Sequence, residues 1–522
     1  MERELKLHVP TVVAKSLKKA LLKMGAQPLE LRARYYDTPH RDLTRHRMAI
    51  RVRQEGAHWV QTLKAAGSDS LSKIEINHDR PDGNLDLTLY KDTSVHEAIA
   101  ALSSPVQLRY ETEVTRWRTE VHTGDASIEI AFDQGIVRAG ERSLPISEIE
   151  FELVSGDVQA LFSTGLEWLE KYDLVIDLRS KSERGDVLAR SLERDSAQQS
   201  SAAGRLFKPR SSRPAQLQPG CTIHQAYVAC STECLEQVIR NAAFVAGVDT
   251  EEVSTETRRA YIHQLRVGLR RLRSCWKLFH EWVPEADFAT TRALRKAFSL
   301  LGKVRDSDVL HEMILPPLQQ AGMPALPWPS GRDGRYEKAQ ELAASREFQA
   351  ALLTLLARTI RWGDEHCGSS GKEFAPRASS RLTTWYHDII VIGGRFDELS
   401  VKRQHGLRNQ IKTLRYATEL CADALQDTNV LDSREIFAKA QDVLGDLNDF
   451  YVAEEEFLHR VKSQPPAWFA VGWLRAMQDK KRQEARALFL AMEQNYSPTT
   501  AAANSRATKG CKSSRPSPTP IQ

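Results

Sequence analysis

Glu148-Ile149-Glu150-Phe151-Glu152-Leu153 is the stretch whose reading decides the fold of the N-terminal third. Residues two apart in a strand share a face. Three carboxylates therefore line one side, opposite Ile149, Phe151 and Leu153. The pattern recurs outward along the chain. Glu2, Glu4 and Lys6 oppose Leu5 and Leu7, and Arg51 and Arg53 oppose Ile50 and Val52. Arg116 and Arg118 share a face, and Glu129 and Asp133 oppose Ile128, Ile130 and Phe132, while Lys64, Lys73 and Glu75 add charges in neighbouring strands. One such strand is an ordinary half-buried strand with a solvated face. Several with paired like charges ask for more. Carboxylates two apart repel unless a cation, most simply a hard divalent metal with oxygen ligands, sits between them. Lys and Arg pairs likewise need an anion. Closing the sheet satisfies both, with apolar faces outward under helices and charged faces lining a lumen. A phosphate chain carrying Mg2+ or Mn2+ fits such a lumen: Arg forks and Lys ammonium groups hold the oxygens, and carboxylates hold the metal.

Around that stretch, period-2 alternation predicts strands at 2–8, 32–37, 48–55, 58–64, 72–78, 107–118, 126–133, 136–139 and 147–154, with helices near 11–25, 92–103 and 156–172. Ala65–Ser70 reads as a hairpin loop. The expected organisation is a β domain over 1–190, a linker over 191–219, a helical domain over 220–497 and a disordered Ser/Thr/Pro/Ala-rich tail over 498–522. Formal charge is −4 over residues 1–200 and +9 over the rest, so an anionic partner is expected for the second part. Seven cysteines without CxxC spacing point to a reduced compartment without a disulfide framework, and Cys230 and Cys234 lack a second ligand pair for a metal. There is no apolar signal region and no run of 18 apolar residues, so no membrane partner is expected and the cytoplasm is the expected location.

The helical part repeats itself. His263-Gln264-Leu265-Arg266 opens a segment followed by Leu301-Gly302, and His405-Gly406-Leu407-Arg408 opens one followed by Leu444-Gly445. The two spacings, 38 and 39 residues, mark two copies of one helical unit. His263, Arg266, Arg270, Arg273 and Lys277 form one stripe of a helix, opposite Leu265, Leu269, Leu272 and Trp276. His405, Arg408, Lys412 and Arg415 repeat the stripe. Like charges at successive turns cost a few tenths of a kcal/mol per pair, roughly. Meeting that cost twice favours anion binding. The competing use is pairing with the acidic turns at Asp306 and Asp308 and at Asp446 and Asp449.

The ordered set Glu2-Arg3-Glu4-Leu5-Lys6, Tyr35–Pro39, Ala49–Arg53, Trp59–Lys64, Lys73–Glu75, Thr112–Arg116, Ile128–Gly135, Glu148–Leu153 and Ser180–Gly185 resembles the CYTH, or triphosphate tunnel metalloenzyme, superfamily. The repeated H-x-x-R-x-x-x-[RK]-x-L-R and L-G-x-x-[RN]-D elements resemble the CHAD domain. These resemblances imply an α+β chain: an eight-stranded antiparallel tunnel, then an all-α bundle with a basic pore for inorganic polyphosphate. They imply that Lys6, Arg51, Arg53, Lys64, Lys73, Arg116 and Lys181 bind phosphates and that Glu2, Glu4, Asp133, Glu150 and Glu152 hold metal. Glu4, Lys6, Arg51, Arg53 and Lys64 would form the catalytic set. Polyphosphate would lie on His263, Arg266, Arg270, Arg273, His405, Arg408, Lys412 and Arg415, and granule association would follow. Lys73 stands where the family often has Arg, which keeps charge and loses the bidentate fork. The expected activity is metal-dependent hydrolysis of tripolyphosphate to pyrophosphate and phosphate by in-line attack of water. Thiamine triphosphate hydrolysis, adenylyl cyclisation in the same tunnel, or a non-catalytic polyphosphate scaffold are the alternatives. Nucleic acid is disfavoured, because aromatic stacking motifs are not evident. His8, just past the opening signature, reads as a rim or surface residue.

Overall fold

A computed structural model of the chain describes residues 2–67, 71–197, 208–250, 253–327, 333–366, 371–425 and 434–495. The loop tip 68–70, linker residues 198–207, Cys367, Cys511, the tail 498–522 and the Glu2 side chain lie outside the described residues. Eight antiparallel strands close on themselves: β1 Glu2–His8, β2 Gln27–Asp37, β3 Met48–Glu55, β4 His58–Ala66, β5 Ser72–Arg80, β6 Gln107–Thr123, β7 Ala126–Ala139 and β8 Arg142–Ser155. Their order is β5-β4-β3-β2-β6-β7-β8-β1, and Glu2↔Lys73 and Arg3↔Ser72 close the ring between β1 and β5. A two-residue strand, β9 Val175–Ile176, pairs with β1 at Leu7 and His8.

Two expected strands, 126–133 and 136–139, are one. The backbone continues through Gly135, where a Cβ would stand 1.9 Å from the Glu113 carbonyl oxygen, so glycine marks a close strand approach and not a break. The helix expected over 92–103 shrinks to five residues, His96–Ala100.

Helices α1 Thr11–Lys23, α2 Asp42–Arg45, α3 His96–Ala100, α4 Val158–Tyr172 and α5 Lys181–Ala197 belong to the barrel half. α1 and α4 cover the outward apolar face: Leu17, Leu21, Leu161 and Phe162 pack with Leu5, Leu7, Ile130, Phe132, Ile149 and Phe151. α5 continues past residue 190 into the expected linker, and it enters the lumen. Its Leu188 and Ala189 pack on Leu31, Val114, Val137 and Ile146; the last three share the inward face with Arg116, Asp133 and Glu148, and Leu31 shares it with Tyr35. One end of the lumen is therefore apolar and filled. The far end of the linker is also ordered: Ala215 and Leu217 are buried, and the Ala215 N–H donates to the Leu420 carbonyl at 3.2 Å.

The helical half comprises α6 Ile223–Val245, α7 Thr255–Phe279, α8 Phe288–Val309, α9 Leu315–Gln320, α10 Asp333–Ala344, α11 Arg346–Glu365, α12 Phe374–Gly393, α13 Val401–Leu420, α14 Arg434–Arg460 and α15 Ala467–Asn495. The repeat consists of α7 with α8 and α13 with α14, and α7 packs on α13. No described helix is long and apolar enough to cross a membrane. Cys221, Cys230, Cys234, Cys275 and Cys421 are buried free thiols.

Candidate active site and a cationic cluster

Strand register sets the lumen out in rows. Glu4 faces Glu152, which faces Glu129, across β1, β8 and β7. The next row holds Lys6 and Glu150, and the next holds His8, Glu148 and Asp133. Oxygens of Asp133, Glu148 and Glu150 lie within 4.8 Å of one another. Cations already compensate this cluster. Lys181, from the start of α5, reaches Asp133 at 2.6 Å, Glu148 at 2.5 Å and Glu150 at 2.7 Å. Arg116 forks onto Asp133 at 2.7 and 2.6 Å and reaches Glu150 at 2.5 Å. Lys6 lies 3.7, 3.5 and 3.4 Å from Glu4, Glu148 and Glu150. Burial favours the neutral carboxyls, yet Lys181, Arg116 and Lys6 outweigh it and hold Glu150 well below its ordinary range.

The Glu4 row is less well compensated. Burial and Glu150 push the Glu4 carboxyl up, while Lys73 at 3.2 Å, with Lys6 and Lys64, holds it low. Glu152 goes the other way. Burial, Glu4, Glu129 and Glu75 raise it, with only Lys64 opposing among its main influences. Such an oxygen-only, mutually repelling set is what a hard divalent ion relieves. Of the expected metal ligands, Glu4 and Glu152 lie in this row, and Asp133 and Glu150 lie in the cation-paired cluster.

The opposite wall carries excess positive charge. Arg51 lies 3.9 Å from Glu75, which also contacts Lys64. The Arg53 Nε donates to Glu55 at 2.6 Å. Burial, Arg51 and Arg116 nevertheless depress Arg53 to about 10, against Glu55. Arg51 also stands beside Tyr35; burial pushes that phenol up, and the guanidinium outweighs it and holds it below its ordinary value. All seven expected phosphate-binding side chains thus line one lumen. The resemblance passed over Glu148, Glu129, Glu75 and Tyr35. The first three were on the inward face by alternation alone. Tyr35 gave no such signal, because the charges nearest it in β2, Arg32 and Arg34, stand on the other face of the strand.

His8 is not a rim residue. Burial lowers it to about 4, with Asp177 and Asp249 opposing and Arg184 and Arg179 adding.

In the bundle the two stripes converge. Lys412 is 7% exposed and is influenced by Arg270, Arg408 and Arg266. Burial and Arg270 lower Arg266 to about 10, and burial with Arg305, Arg266, Arg270 and Lys412 lowers His263. Asp306 and Asp449 moderate the field, but no described carboxylate forms an ion pair within 4.0 Å of Arg266, Arg270, Arg408 or Lys412. The Arg266 Nη1 and Arg408 Nε atoms are buried without a hydrogen-bond partner. The first Leu-Gly element has a steric role, since a Cβ at Gly302 would stand 2.7 Å from Arg266 Nη1, whereas at Gly445 the nearest atom, Arg408 Nη2, would be 4.0 Å away. The outer positions of the stripes differ. Arg415 pairs with Glu419 at 3.1 Å, His405 contacts Asn448 at 2.7 Å, and Arg273 is exposed, although it shares the Phe298 ring with Arg266 and Arg270.

Residues 1–185 match the CYTH domain and residues 231–458 the CHAD domain. An inorganic triphosphatase of Haemophilus influenzae is 36% identical over 197 residues, 36% of this chain and 54% of that protein, so the chain spans about half the length of this curated relative. Among solved structures, the CHAD domain of the plant Ricinus communis is 24% identical, covering 55% of this chain and 97% of its own, with a TM-score of 0.42. A Hippeastrum protein described as having a dominant triphosphatase activity is 15% identical, covering 37% and 96%, with a TM-score of 0.27. With a closed eight-stranded barrel and a duplicated cationic bundle in the matching places, the chain belongs to the proteins in which a CYTH domain is followed by a CHAD domain.

Proposed function

We propose that the barrel lumen hydrolyses tripolyphosphate to pyrophosphate and phosphate with Mg2+ or Mn2+, and that the bundle's cationic cluster binds inorganic polyphosphate. One observation carries the first part. A single lumen holds a carboxylate, Glu152, that its neighbours push toward neutrality and a guanidinium, Arg53, that its neighbours push the same way. A metal-bearing polyanion relieves both. When bound, the divalent ion neutralises charge on the phosphate oxygens. Arg51 and Arg53 offer forks to those oxygens, and Lys64, Lys73 and Lys6 offer point charges. Water attacks the terminal phosphorus, and the bridging P–O bond breaks with its electron pair leaving on pyrophosphate. Filling of one lumen end by α5 leaves the opposite end for entry. The Haemophilus relative supports the substrate class.

The test is phosphate release from tripolyphosphate, ATP and thiamine triphosphate, each with Mg2+ or Mn2+. Tripolyphosphate should be preferred, and Glu4→Gln and Lys6→Ala should each abolish release while the proteins stay folded. Absence of metal-dependent release from tripolyphosphate sinks the reading. For the bundle, long-chain polyphosphate should bind in a salt-sensitive manner. Neutralising Arg266, Arg270, Arg408 and Lys412 together should remove that binding, and unchanged binding refutes the cluster.

A further inference from the structure

Among the side chains by which the helical half meets the barrel, Asp249 is the one that forks the arginines at the floor of the lumen. Asp249, in the turn between α6 and α7, has φ 56°, in the left-handed region that few non-glycine residues adopt. Its side chain is 2% exposed. It accepts from Arg184 Nε at 3.0 Å and Nη2 at 2.6 Å, and Arg179 Nη1 lies 3.0 Å away. Arg179 also forks onto Asp177 at 2.9 and 2.8 Å. Two guanidinium groups thus meet two carboxylates. Arg184 Nη2 also donates to the Pro145 carbonyl at 2.6 Å, while Nη1 points to Glu148 at 3.8 Å.

We propose that Asp249 is a positioning residue for the lumen: by forking Arg184 it keeps that guanidinium off Glu148, which stays with Lys181 and Lys6. Without the Asp249 charge, Arg184 is a buried cation whose nearest remaining carboxylate is Glu148. Arg184 faces Glu148 Oε2 while Lys181 and Lys6 hold Oε1, so its closing brings a third cation onto one carboxylate, and that repulsion turns Lys181 and Lys6 toward Glu150 and Glu4, whose oxygens a metal needs. The helical domain thereby sets the charge balance of a site it does not line. The effect on hydrolysis rests on the function proposed above; the effect on metal binding does not.

The experiment uses the full chain with Asp249→Asn, since Asn tolerates the left-handed backbone. Mn2+ binding is titrated by electron paramagnetic resonance without substrate, alongside tripolyphosphate hydrolysis and polyphosphate binding. Loss of an outer-shell partner typically weakens metal affinity by about 10-fold to 100-fold. A loss in that range is expected, with polyphosphate binding unchanged. Adding Arg184→Gln to Asp249→Asn should restore most of the Mn2+ affinity, because it removes the displaced cation. A purely structural Asp249 makes the double variant worse than the single, and that result overturns the proposal, as does unchanged Mn2+ affinity in Asp249→Asn. If the single variant fails to fold and the double folds, the displaced guanidinium is read directly; if neither folds, Asp249 is structural and the proposal falls. Asp364→Asn is the control. It breaks the exposed fork to Arg3, at 2.7 and 2.6 Å, which also crosses between the halves. An equal Mn2+ defect there assigns the effect to domain adhesion and overturns the proposal. Mn2+ binding without triphosphate hydrolysis in the unmodified protein defeats the functional reading and leaves the Asp249 test standing.

Discussion

Lys412 is held near neutrality by its surroundings. Burial lowers it most, then Arg270 and Arg408 from the two facing stripes, with Arg266 adding and Asp449 opposing, and it titrates at about 6. Above that value the free protein carries a neutral lysine among arginines. An unfolded chain keeps its lysine charged up to about 10.4. Between these values the unfolded state binds a proton the native state lacks, so stability of the free protein rises with pH across that window. A polyanion in the cluster reverses the field and recharges Lys412. Polyphosphate binding at pH 7.5 should therefore take up a proton. Titration calorimetry in two buffers of different ionisation enthalpy measures it, and Lys412→Met should remove the uptake. Binding without proton uptake in the unmodified protein contradicts the convergence of the stripes at this residue.

At the scale of elements, α5 does most to turn a barrel into a site. Its first residue, Lys181, bridges three carboxylates, and one turn later Gly185 lies against Tyr110. A Cβ there would be 2.2 Å from that ring, which is itself stacked on Tyr35 at 4.8 Å and cannot retreat. Gly185→Ala should gain about 1 kcal/mol of helix propensity. Overpacking against a fixed ring costs about 1–3 kcal/mol. The expected result is a net loss in denaturant unfolding together with lower kcat, because Lys181 must move with the helix. A stabilised variant of unchanged kcat would show that α5 is not held by this contact. The sequence was legible where charge and apolar side chains alternate: β1, β3 and β8 stand where alternation puts them, and their charges face one lumen. It was not legible for α5. The segment's apolar residues, Val187, Leu188 and Leu192, are sparse among charges, and its partners are inward residues of distant strands. Alternation also says nothing about which end of a lumen is filled. Asp249 was beyond reach for the same reason, since its partners lie 65 and 70 positions earlier in the chain.

Across the whole molecule the two halves share one core. Interfaces between domains of one chain usually resemble transient contacts, and relative motion is the default. Here the apolar cluster runs without interruption from Leu5 and Phe151 on the barrel through Leu161 and Phe162 on α4 to Leu352, Leu353 and Leu356 on α11. Gly165 on α4 marks the closest passage: a Cβ there would be 2.4 Å from Leu5 and 3.9 Å from Leu353. Leu5 lies between Glu4 and Lys6 and meets Gly165 on α4, whose other neighbour is Leu353 of the helical half, so the strand that carries both charges is backed through α4 by the helical half. Removing the half would uncover that face. Unfolding should therefore be one calorimetric transition, even though separate domains often melt separately. Leu353→Ala opens a cavity worth about 2–5 kcal/mol, and it should move the whole transition down without splitting it. On the proposed function, tripolyphosphate with Mn2+ binds the native lumen and should move the whole transition up by linkage. Two resolved transitions, with Leu353→Ala shifting one and tripolyphosphate the other, would show two domains that merely touch. In that case the reach of Asp249 into the barrel would be a local contact, with no support from a shared core.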